Sequence, residues 1–309
     1  CSPWRLVFKN LVFETHDTLY SDFCSKNKLC KSDIMSEKKV EMSRTMKEKL
    51  APKQFTKTPI NGTKYTILVS SAKGGVGKST VAINLAFALQ NLGLKIGILD
   101  ADVYGPSLPK LINLNEKPES KDGKAMSPLE KYDAQFMSMG FLVDEQTPMI
   151  WRGPMVISAI KTMTQKVLWK DRDVIIIDMP PGTGDTQLTF AQEVKVDGAI
   201  IVSTPQDLAL LDVKRGIQMF DKTGVKILGL IDNMSFFKGD DGKEYKIFGE
   251  SGVEKTAKEF NKEFLGHLPI HQDLRSSADK GDPLTRSDPE HEVSKLFLNI
   301  ANKIKLSLN

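Results

Sequence analysis

Cysteine is scarce in this chain of 309 residues and confined to its start: Cys1, Cys24 and Cys30 are the only three. A disulfide framework is therefore excluded for everything after residue 30, which suits a reducing compartment, and the expected location is cytoplasmic. Five residues separate Cys24 from Cys30, unlike the usual spacings of cluster ligands. Apolar runs are short as well; none approaches the roughly 18 residues that suggest a membrane span. Excess charge of one sign is also missing from most of the chain. The formal net charge is +4, but thirteen Lys/Arg face seven Asp/Glu through Lys64, leaving the remainder slightly acidic. A near-neutral body lacks the concentrated basic face that nucleic-acid binding requires.

Three segments follow from this. Residues 1–34 have neither the apolar core of a secretory signal nor the acid-poor composition of a mitochondrial presequence, given Glu14, Asp17, Asp22 and Asp33. They are expected to be a leader, non-native in character, because Met35-Ser36-Glu37-Lys38-Lys39 reads as a protein start. Residues 35–63 are polar and expected to be flexible. Residues 64–309 are long enough to bury a full core.

What is present is an alternation of short apolar runs and longer helical periods. Thr66–Ser70, Lys95–Leu99, Val174–Ile177, Ala199–Ser203 and Val225–Ile231 read as strands. Ser79–Leu92, Met155–Leu168, Leu208–Phe220, Val253–Asn261 and Glu290–Leu306 read as helices. Nearly continuous apolar strands are those covered on both faces, so the expected fold is α/β, a doubly wound and mostly parallel sheet. Residues 114–150, rich in Gly, Pro and charge, are expected to form an irregular insertion beside the ligand site.

Between the first strand and first helix lies Lys73-Gly74-Gly75-Val76-Gly77-Lys78-Ser79-Thr80. A strict phosphate-loop pattern would have Gly at position 72; this chain has Ala72 and places Lys73 inside the loop. Glycines without Cβ let backbone N–H groups close around a polyphosphate, and the following helix adds its positive dipole end. Lys78 is expected on the β- and γ-phosphates, the Ser79 hydroxyl on Mg²⁺ and Thr80 on phosphate oxygens. The carboxylates such a site needs stand at strand ends: Asp100 and Asp102 after Ile96–Leu99, and Asp178 after Val174–Ile177. Asp178 leads into Pro180-Pro181-Gly182-Thr183-Gly184-Asp185, a loop suited to sensing a γ-phosphate. ATP with Mg²⁺, the metal on Ser79, Asp100 and Asp178, is the expected ligand set of this P-loop NTPase.

Six stretches, Lys73–Thr80, Leu99–Ser107 (LDADVYGPS), Met149–Pro154 (MIWRGP), Asp178–Asp185 (DMPPGTGD), Thr204–Asp207 (TPQD) and Asn233–Ser235 (NMS), closely resemble the Mrp/ApbC family. Those are ATP-binding iron–sulfur carriers of the deviant-Walker-A type, related to the MinD and ParA ATPases. The resemblance runs from about Lys64 to Ile304. It implies a slow Mg²⁺-dependent ATPase working as a nucleotide-bridged homodimer, with Lys73 reaching the partner's nucleotide, Asp102 orienting water and Asn233 contacting adenine. It also implies apo iron–sulfur proteins as partners. The chain departs from the family where a C-x-x-C pair is usual: Phe236 to Tyr245 reads FFKGDDGKEY, with no cysteine. The iron–sulfur ligands are thus not identified, and Asp240-Asp241-Gly242 reads as a turn between two short strands.

The alternative is a MinD- or ParA-like positioning switch on membrane or DNA. For it speaks the apolar stripe of the last helix, Val293, Leu296, Phe297, Ile300, Ile304 and Leu306, with Lys295, Lys303 and Lys305 beside it. Such a stripe is more often the inward face of a closing helix. His267 and His271 are four apart, but Pro269 breaks any helix between them, so both read as ordinary surface or core residues. Arg152, beside Trp151, is a further functional candidate, although Pro154 makes the stretch a helix start too.

Overall fold

The computed structural model describes residues 57–120, 125–142 and 153–308. Cys1, Cys24, Cys30, the leader, and Met149 to Arg152 with its candidate arginine lie outside the described residues.

Eight strands form one sheet. In chain order they begin with β1 (Thr63–Ser70), β2 (Ile96–Asp100), β3 (Leu129–Lys131), β4 (Ala134–Ser138) and β5 (Arg172–Asp178). After them come β6 (Gly198–Ser203), β7 (Ile227–Asp232) and, beyond a small hairpin of β8 (Phe237–Lys238) and β9 (Glu244–Tyr245), β10 (Phe264–His267). The spatial order is β10-β7-β6-β1-β5-β2-β4-β3, and only the β3–β4 edge pair is antiparallel. Parallel neighbours require crossovers, which the helices supply. These are α1 (Lys78–Asn91), the single turn α2 (Leu108–Leu111), α3 (Gly153–Gln165), α4 (Asp185–Glu193), α5 (Asp207–Thr223), α6 (Gly252–Glu259), α7 (Gln272–Lys280), the short α8 (Leu284–Ser287) and α9 (Glu292–Leu308). The doubly wound, mostly parallel sheet is as the apolar runs foretold.

The segment 114–150 departs from expectation. Instead of a wholly irregular insertion, its part from Leu129 to Ser138 adds β3 and β4 to the sheet. Strand β4 is buried at every residue and pairs parallel with β2, from Gly97↔Gln135 to Asp100↔Ser138. Tyr132 and Asp133 turn the chain between β3 and β4 with φ of 52° and 57°, a left-handed pair that matches strand twist in a two-residue hairpin.

Helix α1 also differs from the amphipathic helix its periodicity suggests. Lys78 and every residue from Val81 to Leu89 are buried. One side lies on the sheet, and α8 and α9 cover the other. Polar groups anchor that cover: Thr285 Oγ1 donates to the carbonyl of Asn84 at 2.9 Å, and Lys305 Nζ to the carbonyl of Leu92 at 2.9 Å. The apolar stripe of α9 is consumed in the same way. Val293, Phe297, Ile300 and Ile304 are buried while Leu306 stays exposed, so the stripe is an inward face and not a free membrane anchor. No described helix is long and apolar enough to cross a membrane.

Candidate functional site

Strand register brings the acidic residues together. Val69 pairs with Asp178 across β1–β5, and Asp100 pairs with Asp178 across β2–β5. Neighbouring strands run about 4.8 Å apart, so the phosphate loop leaving β1 and two carboxylates share one end of the sheet. The carboxyl ends of parallel strands are where open α/β sheets bind ligands.

The loop itself is tightly held. Gly75 and Gly77 have φ of 80° and 76°, left-handed values that side-chain-bearing residues reach only with strain. At Gly77 space forbids a side chain as well, because a Cβ would stand 2.4 Å from Asn233 Nδ2. Asn233 Nδ2 donates to the carbonyl of Val76 at 2.8 Å, fastening the end of β7 to the loop. Ser71 Oγ donates to the carbonyl of Lys73 at 2.9 Å, and the Gly182 amide to that of Ser71 at 2.9 Å. The second contact ties the loop after β5 to the phosphate loop. Gln187 Nε2 holds the same segment by donating to the carbonyl of Pro180 at 2.6 Å.

Lys78 is buried and forms an ion pair and hydrogen bond with Asp178 Oδ1. Its Nζ also lies 3.3 Å from Ser79 Oγ. The Ser79 hydroxyl, like Lys78, favours the charged form of Asp178. Burial pushes Asp178 above the usual carboxylate range, against the pull of Lys78. Asp100, with no exposed surface, is pushed up to about 7, first by burial and then by the charge of Asp178. Its Oδ2 accepts from the amides of Ser107 (3.0 Å) and Leu108 (3.1 Å) and from Ser138 Oγ (3.1 Å). Its Oδ1 accepts from the Asp102 amide at 3.0 Å, so Asp100 organises the loop that follows β2. One ammonium against two buried carboxylates leaves negative charge that a divalent cation would neutralise. The hard oxygen donors of Ser79 and Asp178 fit Mg²⁺.

Two cavities flank this centre. The larger, of about 760 Å³, opens beside Gly77 and Thr80 and is walled by Asn233, Met234, Pro269 and Ile270. Met234 has φ of 57°, a strained value at the cavity wall. Asn233 is buried, and its Oδ1 has no hydrogen-bond partner. The smaller, of about 330 Å³, is lined by Asp102, Tyr104, Pro180, Pro181, Gly184 and Gln187. Asp102 Oδ1 accepts from the amides of Tyr104 and Gly105, each at 3.2 Å, which fixes that carboxylate at the cavity edge.

The residues expected to hold the nucleotide and its metal thus fall at one end of the sheet, while the candidate Arg152 lies outside the described residues. Lys73 and Gly74 lie in the loop, and Gly74 approaches Pro181 of the loop after β5 at 3.9 Å from its would-be Cβ. The sequence did not reveal Gln187, whereas Gly266-His267-Leu268-Pro269-Ile270 reads from sequence as a strand end near the nucleotide base, and Pro269 and Ile270 do line the larger cavity. The hairpin expected around Asp240-Asp241-Gly242 is present as β8 and β9. Asp241 accepts from the Lys243 amide (3.0 Å) and the Tyr245 hydroxyl (2.8 Å), so both of its oxygens serve to hold the turn. No thiol stands on this hairpin, and the described residues do not fit thiolate ligation of a cluster.

Comparison with known proteins agrees with this geometry. The chain is 48% identical over 251 residues to the iron–sulfur protein required for NADH dehydrogenase, mitochondrial, of Arabidopsis thaliana, covering 81% of this chain and 80% of that one. It is 47% identical to the iron–sulfur cluster carrier protein of Escherichia coli K12, covering 81% and 68%. Among solved structures it resembles the nucleotide-binding protein of Archaeoglobus fulgidus in complex with ADP. That likeness has a TM-score of 0.63 at 36% identity and covers 72% of this chain and 88% of that one. Residues 62–305 match the ParA family described as NUBPL iron-transfer P-loop NTPase, and the chain belongs to that family.

Proposed function

We propose that this protein binds ATP with Mg²⁺, hydrolyses it slowly as a nucleotide-bridged homodimer, and assists the transfer of iron–sulfur clusters to apo-proteins. The observation that carries the nucleotide reading is the buried Lys78–Asp178 pair, with half-buried Ser79 beside it, beneath a left-handed glycine loop. Polyphosphate draws Lys78 Nζ away from Asp178, freeing the carboxylate and the Ser79 hydroxyl as magnesium ligands. Asp100, whose oxygens already accept four hydrogen bonds, serves the metal through its charge and its hold on the loop. Bound magnesium supplies charge neutralisation on the β- and γ-phosphates. The amides of Gly74, Gly75, Val76 and Gly77 cradle the phosphates, and Thr80 borders them. The base occupies the larger cavity, where the unpartnered Asn233 Oδ1 accepts from the adenine amine. Asp102 orients the attacking water through Oδ2, which accepts from no described residue. Lys73 crosses to the partner's nucleotide, so hydrolysis depends on the dimer.

The cluster is cargo in this reading. Residues 57–309 contain no cysteine, so its thiolates come from another protein or from outside the described residues. ATP acts as the conformational ligand, sensed where Gly182 meets Ser71. A cytoplasmic site of action belongs to the same proposal.

The test is anaerobic transfer of a reconstituted cluster to an apo-ferredoxin, with the full chain present and Mg-ATP added or withheld. Acceleration by Mg-ATP that disappears in Lys73→Ala, while nucleotide still binds, is expected. Transfer indifferent to ATP, or a Lys73→Ala variant that hydrolyses ATP normally, would overturn the proposal.

A further inference from the structure

Outside the nucleotide site, two histidines from separate stretches meet. His271 caps the N-terminus of α7, its Nδ1 accepting from the Asp273 amide at 3.2 Å. His291 does the same just ahead of α9, its Nδ1 accepting from the Val293 amide at 3.1 Å. The rings stand edge to face with centroids 4.9 Å apart. Each Nε2 faces a carboxylate: His291 Nε2 is 3.3 Å from Asp273 Oδ2, and His271 Nε2 is 3.6 Å from Glu292 Oε1. One donor atom from each of His271, Asp273 and His291 falls within a 4.8 Å span.

We propose that His271, His291 and Asp273, with Glu292 or water as a fourth ligand, form a binding site for a divalent transition-metal ion of the zinc class. In a tetrahedral site with bonds of about 2.0–2.1 Å, ligand atoms stand roughly 3.3 Å apart. The His291–Asp273 separation is already at that value, and the three donor atoms have to close in from their present span of 4.8 Å. Two imidazoles and carboxylate oxygens select Zn²⁺, Co²⁺ or Fe²⁺ over Mg²⁺ or Ca²⁺, which prefer all-oxygen shells. Both histidine side chains are about four-fifths buried, with 22% and 18% exposure, while Asp273 at 59% leaves the site open to an entering ion. Lys238 holds the other oxygen of Glu292 at 2.9 Å and so leaves Oε1 facing His271.

Ligation has a structural consequence. As caps, both rings accept at Nδ1 and carry their proton on Nε2. Metal at Nε2 moves that proton to Nδ1, and metal at Nδ1, the nitrogen by which His271 stands 3.7 Å from Asp273 Oδ2, occupies the accepting lone pair itself; either way two backbone caps are exchanged for two metal–nitrogen bonds. The ion then links the N-termini of α7 and α9 directly. His271 and Leu274 also line the larger cavity, placing the link beside the proposed base site.

The experiment uses the metal-stripped full chain with its nucleotide site saturated by excess Mg-ADP, titrated with Zn²⁺ by calorimetry and with Co²⁺ by visible spectroscopy. One equivalent per chain is expected, with the intense d–d bands of four-coordinate cobalt. Amide exchange at Asp273 and Val293 should speed up as the caps open. Asp273→Asn should weaken uptake roughly tenfold or more, and His291→Ala should abolish it, while both variants bind Mg-ADP as the parent does. Absence of uptake beyond the nucleotide site would overturn the proposal and leave the cluster as a pair of helix caps. So would uptake unchanged in both variants.

Discussion

Replacing Lys78 by Met isolates the charge at the centre of the site, because the apolar stem is kept and only the ammonium is lost. In the parent, Lys78 lies against Asp178 with 7% and 6% of the two side chains exposed, and Asp100 stands in register beside Asp178. Removing one partner of a buried pair costs about 3–5 kcal/mol, since the other is left charged in a medium that cannot solvate it. For a domain of this size that lowers the melting temperature by roughly 6–20 °C, at 2–4 °C per kcal/mol. The loss should depend on pH. Asp178 is already held above the normal carboxylate range by burial. Without Lys78 it rises further, so the penalty should be smaller at pH 5, where protonation relieves more of the buried charge, than at pH 8. Adding Asp178→Asn should recover most of the stability at pH 8 without restoring nucleotide binding. Thermal unfolding at both pH values, paired with binding of a fluorescent ATP analogue, measures each effect. A Lys78→Met protein as stable as the parent at pH 8, or one destabilised equally at both pH values, would refute the argument.

Gly77→Ala should lose ATP binding and about 1–2 kcal/mol of stability from the left-handed backbone alone, because its Cβ would meet Asn233 Nδ2; titration with the same analogue and urea unfolding check both, and intact binding would contradict the loop geometry. The nucleotide-free protein should become less stable as pH rises from 5 to 8. Asp100 is raised to about 7 from an unfolded value near 3.8, so its contribution is fully present below the unfolded value and lost as pH climbs through the folded one. Melting temperatures in chelator across that window test the sign, and a flat or rising curve would count against it.

How much of the site was legible depended on how far apart its parts lie in the chain. The glycines, Lys78 and Ser79 sit within one turn between a strand and a helix, and each requirement of phosphate binding leaves a local mark. Asp100, Asp102 and Asp178 were visible because a carboxylate ending an apolar run points to the ligand edge of a parallel sheet. The lack of cysteine from Phe236 to Tyr245 was equally plain, as was the turn at Asp240-Asp241-Gly242. Strand β4 was hidden, because its short run sits among Gly, Pro and charged residues and is buried only by pairing with β2. The periodicity of α1 understated its burial, since α8 and α9 cover the face that solvent would otherwise reach.

Sequence by itself therefore determined the fold class, the phosphate loop and the strand-end carboxylates, because backbone conformation and short-range patterning dictate them. Tertiary structure alone decided that Asn233 braces the loop through Val76, 157 residues away. It alone placed Asp100 opposite Asp178, which fixes the electrostatics of the site through strand register. It alone brought His271 and Asp273 against His291, because the starts of two separate helices become neighbours only when the chain between them folds back.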